Sequence, residues 1–206
     1  MTQLTRRSLL GAGLAAAAAT TTAAAHAAPA PAAASTERPV RRKDYELTRE
    51  EALYVIEHTD HAVLATADAS GTPYAVPVTP VLIGGKLYFH GTKDEKSRKL
   101  LNLRQNARVS LAWVGTSPIK EDEFTVKYVS AVVAGHAREV TDPKEKQRIF
   151  EGFTARFAPS QTLEKQREVI AGSIRDAALW EVTIDKVTGK AKAKQPFFGK
   201  RAAQTK

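Results

Sequence analysis

The residues best equipped for chemistry lie between positions 90 and 99, in the run His90-Gly91-Thr92-Lys93-Asp94-Glu95-Lys96-Ser97-Arg98-Lys99. A strand ending at His90 presents an imidazole, Gly91 lets the backbone pass close to a ligand, and Thr92 adds a hydroxyl. Lys96, Ser97, Arg98 and Lys99 then stand at the start of a helix. Helix amino termini offer free N–H groups and the positive end of a dipole, and arginine adds a planar fork, so the pattern suits a phosphate monoester. A solvated helix start carries the same residue types, so the run alone leaves both readings open. Chemistry elsewhere is sparse. With no cysteine in 206 residues there is no disulfide framework, thiolate metal site or cysteine nucleophile, and a redox role requires a borrowed cofactor. His58, His61, His90 and His136 lack metal-ligand spacing, so no metal is expected. The G-x-S-x-G, H-E-x-x-H, Walker and G-x-G-x-x-G patterns are absent, and Glu121-Asp122-Glu123 reads as a solvated loop.

The elements that position this run follow from pattern. Thr48 and Glu51 form a capping box for a helix over 48–59. A strand over 61–67, a turn at 68–73 and a strand over 74–83 come next, with Pro77 and Pro80 requiring an edge, a bulge or a use of free backbone groups other than strand pairing. Gly84-Gly85 turns tightly into a strand over 86–90. After the basic run, a strand spans 108–114, and one long or two bent strands span 124–140 around Gly135. Asp142 and Pro143 cap and open a helix to about Phe157, and a polar helix covers 162–175. A last strand spans 179–184, with a turn at Thr188-Gly189 into 190–194. Hairpin-length links imply antiparallel pairing, hence a mainly β fold, a β-barrel or strongly curved sheet with helices packed outside.

Charge locates the remaining pieces. The chain carries 31 Lys and Arg against 22 Asp and Glu, a formal +9. Arg6 and Arg7 open it, seven basic residues follow Asp185, and the body between is balanced, which argues against nucleic acid as a partner; Phe197-Phe198 is the one place where aromatic residues interleave with that charge. Residues 1–27 read as a signal peptide, with a charged start, an alanine- and threonine-rich run and a small-x-small site ending at Ala27. Arg6-Arg7-Ser8-Leu9-Leu10 resembles the twin-arginine export signal. That resemblance implies recognition by the twin-arginine machinery, folding before export and a periplasmic or extracellular destination, with no stable membrane anchor. Residues 28–44 read as a disordered Ala/Pro linker, 45–195 as the folded domain and 196–206 as a basic tail.

Several segments in order resemble the pyridoxamine 5′-phosphate oxidase-like, FMN-binding split-barrel superfamily: Val76-Pro77-Val78-Thr79, Gly85 to Thr92, Arg98-Lys99-Leu100, Asn106 to Ser110, Gly135 to Pro143 and Val187 to Ala191. Within it the chain is similar to the nitroimidazole-resistance (Nim-type) branch. The resemblance implies a homodimer of split barrels with FMN at the subunit interface. Val76, Pro77, Val78 and Thr79 would lie along the flavin ring, Arg98 and Lys99 would hold the phosphate beside Gly91 and Thr92, and His90 would sit by the flavin as the candidate catalytic residue. The link from His90 to Arg98 is longer than in the Nim-type branch, which brings Lys96 and Ser97 in as further phosphate ligands. The expected activity is hydride transfer between FMN and a small substrate. The alternatives are a deazaflavin-dependent reductase of the same fold and a non-catalytic flavin- or haem-binding protein, with His90 or His136 as axial ligand.

Overall fold

The computed structural model describes residues 38–195 and 197–199. The expected signal peptide, residues 28–37 of the expected linker, Pro196 and residues 200–206 lie outside the described residues. Helix α1 (Arg49–Glu57) starts as its sequence dictates: the Thr48 side chain accepts from Glu51 N–H and the Glu51 side chain accepts from Thr48 N–H. Strands β1 (Ala62–Ala67), β2 (Pro73–Val78), β3 (Val81–Ile83) and β4 (Lys86–Thr92) follow, then helix α2 (Arg98–Gln105) and strands β5 (Arg108–Thr116), β6 (Ile119–Lys120), β7 (Thr125–Val126) and β8 (Val129–Val140). Helices α3 (Pro143–Phe157) and α4 (Leu163–Ser173) precede the final strand β9 (Ala177–Ala191). Asp142 caps α3 with Pro143 in its first turn, and Thr162 caps α4.

Seven strands form one antiparallel sheet in the order β2-β1-β5-β8-β9-β4-β3, and β6 pairs separately with β7. β2 and β3 occupy the two edges, yet only Thr79 and Pro80 separate them. Three Cα steps span about 11 Å at most, so the sheet must curl until its edges meet. The result is a split barrel, curled and not closed, and the prolines sit where ladder donors are dispensable. Gly84 and Gly85 make the β3–β4 turn with positive φ (58° and 78°), a region other residues rarely enter.

Two apolar clusters flank the sheet. The first fills the curl with Leu64, Leu87, Phe89, Leu111, Trp113, Val133 and Trp180, closed at one end by Val55 and Ile56 of α1. The second lies on the other side of β4 and β9, where Tyr88 and Leu179 meet Ile149, Phe150 and Phe153 of α3 and Ile170 of α4. Because β4 and β9 are covered on both faces, alternate residues of each serve different cores, which explains the unbroken buried run Ala177 to Val182.

Four expectations are corrected. The strand expected over 74–83 is two strands, interrupted at Thr79-Pro80. Thr188-Gly189 is no turn: β9 runs straight through it, and Gly189 is there because the start of α1 presses on it. A Cβ at Gly189 would lie 2.9 Å from Ala52 Cβ, and Leu47 N–H donates to the Gly189 carbonyl at 3.0 Å. The expected tail begins too early, since Phe197 and Phe198 pack beside Tyr54, with ring centroids at 6.1 and 5.5 Å. The linker likewise ends in structure, a single 3-10 turn at Lys43–Tyr45.

Candidate functional site

β4 delivers its residues to opposite sides. Gly91 shares the face of Phe89, toward the first cluster, and there the Lys99 ammonium comes down: a Cβ on Gly91 would lie 2.8 Å from Lys99 Nζ, which sits 5.6 Å from the Phe89 ring centroid. His90 shares the face of Tyr88, and its ring packs against Phe150 and Phe153 at 5.4 and 5.1 Å. The expected site residues therefore form two neighbouring groups on the two faces of one strand.

The first group gathers positive charge at a helix start that lacks its own cap. α1, α3 and α4 each have a cap whose side chain bonds the first turn, and each carries glutamate there. α2 has neither: Ser97 makes no side-chain cap bond and the first turn holds no acid, only Arg98 and Lys99. Its amino-terminal N–H groups are left to something else. Burial lowers the Lys99 ammonium below its ordinary pKa, and Lys99 has no hydrogen-bond or ion-pair partner among the described residues. Arg98 folds back toward β2, its Nη2 donating to the Pro73 carbonyl at 3.4 Å and its guanidinium lying 4.8 Å from the Tyr74 ring centroid. That contact brings the start of α2 to the start of β2, the strand holding Val76, Pro77 and Val78.

Along β2, Val78 is buried in the barrel and Val76 half-buried against the same core, while Pro77 and the following Thr79 are exposed. Thr79 Oγ1 lies 3.3 Å from His61 Nδ1. Thr92 and Lys96 are less engaged with the group: Thr92 Oγ1 accepts from Asp94 N–H, and exposed Lys96 donates its own backbone N–H to Asp94 Oδ1. Trp113 is buried in the core. The second group has lost basicity, because burial lowers the His90 pKa and the Lys99 charge pushes the same way. Both effects favour the neutral imidazole. His136 is apart from both groups, paired with Asp185 at 2.5 Å on the exposed side of β8.

Sequence reasoning missed a buried ionic row that holds β4 in place. Glu181, 1% exposed, faces Tyr88 across β4 and Arg138 across β8. It accepts from Tyr88 Oη at 3.0 Å, Lys86 Nζ at 2.8 Å and Arg138 Nη2 at 2.7 Å, and Arg138 also reaches Glu145 of α3. Burial would raise this carboxyl, but the three donors win and hold it at about 2. A lone glutamate inside an apolar run, Leu179-Trp180-Glu181-Val182, was the available signal. No cluster of three metal-ligating side chains occurs among the described residues.

Solved structures share this architecture. A candidate 5-nitroimidazole antibiotic resistance protein from Bacteroides thetaiotaomicron is 20% identical, with a TM-score of 0.60 over 70% of this chain and 85% of that one. The flavocytochrome Anf3 from Azotobacter vinelandii is 18% identical, with a TM-score of 0.63 over 76% and 73% of the two chains. A FAD- and haem-binding protein from Mycobacterium smegmatis is 19% identical, with a TM-score of 0.56 over 71% and 72%. No curated protein matches the sequence. The sequence model of the family described as pyridoxamine 5′-phosphate oxidase matches residues 48–191, and with most of its length covered, the chain belongs to the pyridoxamine 5′-phosphate oxidase family.

Proposed function

We propose that this protein is an FMN-binding oxidoreductase that transfers a hydride between FMN and a small substrate. The carrying observation is the start of α2, uncapped by Ser97, free of acid, and paired with a half-buried Lys99 that lacks an acidic partner and meets Gly91. A phosphate monoester supplies what is missing there: oxygens for the free N–H groups and negative charge for Lys99 and Arg98. The flavin supplies the hydride chemistry when bound, and the chain's residues bind and orient it. Arg98 and Lys99 hold the phosphate, Gly91 admits it, and β2 from Val76 to Thr79 lies along the ring.

The functional form we propose is a homodimer. Pro77, Val63, Ala112 and Val132 stand in register across β2, β1, β5 and β8, and Val63, Val114 and Val132 are exposed. This apolar row on a sheet face suits a second copy of the chain. Export through the twin-arginine route, folded and loaded, completes the proposal; it rests on Arg6-Arg7 and the run that follows.

The test is the absorption spectrum of protein purified from its own cells, followed by titration with FMN. Flavin bands and saturable binding are expected. Arg98→Ala with Lys99→Ala should weaken FMN binding at least about tenfold, the scale of one lost charge-assisted hydrogen bond. A Soret band would assign the site to haem. A colourless chain that fails to take up FMN would overturn the proposal, and unchanged affinity in the double variant would overturn the phosphate assignment.

A further inference from the structure

On the far side of β4 from Gly91 and Lys99, a cavity of about 230 Å³ opens between α3, α4 and the end of the strand. Its walls are Phe150, Phe153 and Phe157 from α3, Val169 and Ile170 from α4, and His90 from β4. The phenylalanines recur at three- and four-residue spacing, which puts them on one side of α3. Phe150 and Phe153 belong to the second core, whereas Phe157 is 38% and Val169 49% exposed at the mouth. No lining residue other than His90 is ionisable. The other polar groups of the lining are the hydroxyls of Ser173 and of Thr154, which donates to the Glu151 carbonyl. His90 has no hydrogen-bond partner among the described residues, so it stands as an unpartnered ionisable group in a largely apolar wall.

We infer that this cavity is a second ligand site, for an uncharged aromatic molecule of one or two rings with a single polar atom hydrogen-bonded to His90. Size supports the class: an apolar cavity of about 150 Å³ takes benzene, and the additional volume here accommodates a fused second ring or substituents. Chemistry supports it too. Three phenyl rings offer stacking and edge contacts, a carboxylate or ammonium would meet no counter-charge in these walls, and a neutral imidazole accepts or donates one hydrogen bond. The site is distinct from the proposed phosphate cradle at Gly91, Arg98 and Lys99, with which its lining shares no residue.

The experiment titrates the full chain, with and without added FMN, using indole as the probe, and follows heat and the His90 imidazole NMR signals. Saturable binding that shifts the His90 resonances is expected. Val169→Trp, a change at an exposed position that fills the mouth, should weaken indole at least about tenfold while leaving the thermal midpoint unchanged. His90→Phe should weaken indole but retain benzene, which needs no polar partner. Absence of saturable indole binding, or equal affinity in Val169→Trp, would overturn the inference. So would self-association that Val169→Trp abolishes without any indole uptake, which would assign the face to a second copy. FMN binding is read separately, so a chain that takes FMN but not indole refutes only the cavity, and the reverse refutes only the flavin.

Discussion

Replacing Glu181 by glutamine removes the one negative charge on which Lys86, Tyr88 and Arg138 converge. A carboxyl held at about 2 in place of its ordinary 4.5 corresponds to about 3 kcal/mol of stability at neutral pH. Lys86 and Arg138 keep 44% and 51% of their side chains in water, and that screening lowers the expected loss to about 2 kcal/mol. For a domain of this size the midpoint should fall by roughly 4–8 °C. The sign with pH follows from the depressed carboxyl. Its contribution is complete above the ordinary value of about 4.5 and is lost as pH falls toward about 2. Wild type and Glu181→Gln should therefore differ fully at pH 7 and converge in acid. Denaturant unfolding at a series of pH values measures both curves. A constant gap from neutral pH down to about pH 3, or a neutral gap below about 0.5 kcal/mol, would refute the reasoning. Because Glu181 faces Tyr88 and the neighbouring Leu179 faces His90, the variant should also broaden the His90 signals.

Two further predictions address the helix start and the barrel bend. Ser97→Asp gives α2 the cap that the other three α-helices have, so stability should rise by about 0.5–1 kcal/mol while FMN affinity falls, because a carboxylate then occupies the phosphate's place; a rise in stability with unchanged affinity would remove the anion from α2. Gly135→Ala should cost roughly 2–3 kcal/mol in thermal unfolding, since the added carbon would collide with the Thr183 carbonyl oxygen at the bulge between Ala134 and Gly135; a loss below about 0.5 kcal/mol would show that the bulge relaxes freely.

Local signals were legible because their physics is local. The Thr48–Glu51 capping box, the Asp142-Pro143 helix start and the Gly84-Gly85 turn each act within four residues, and each stands as read. Thr188-Gly189 misled because a glycine that serves close packing has the same letter as one that serves a turn; what distinguishes them is Leu47 and Ala52, more than 130 residues away in the chain. The residues of the proposed phosphate cradle stand out in the sequence as a basic run beside a glycine. Their separation from His90 does not, because the alternation of β4 matters only once both sides of the strand are covered. The aromatic cavity depends on α4 folding against α3, and the Glu181 row on three strands brought into register, neither of which any single segment encodes.

The strand order has a consequence for how the chain comes to be folded. β4 and β3 join the sheet only through β9, and the nearest partners across that seam are Thr92 and Ala177. The barrel therefore stays incomplete until the last strand has been made and has found β4. Bringing those ends together costs roughly 4 kcal/mol of chain entropy before any contact offsets it. In the interval, Val81-Leu82-Ile83 and Leu87-Tyr88-Phe89 form at most a two-stranded hairpin, a marginal structure with an apolar surface on each side. Folding of this domain should accordingly be slow and late for its size, and the β3–β4 hairpin is the segment most in need of shelter from aggregation while it waits.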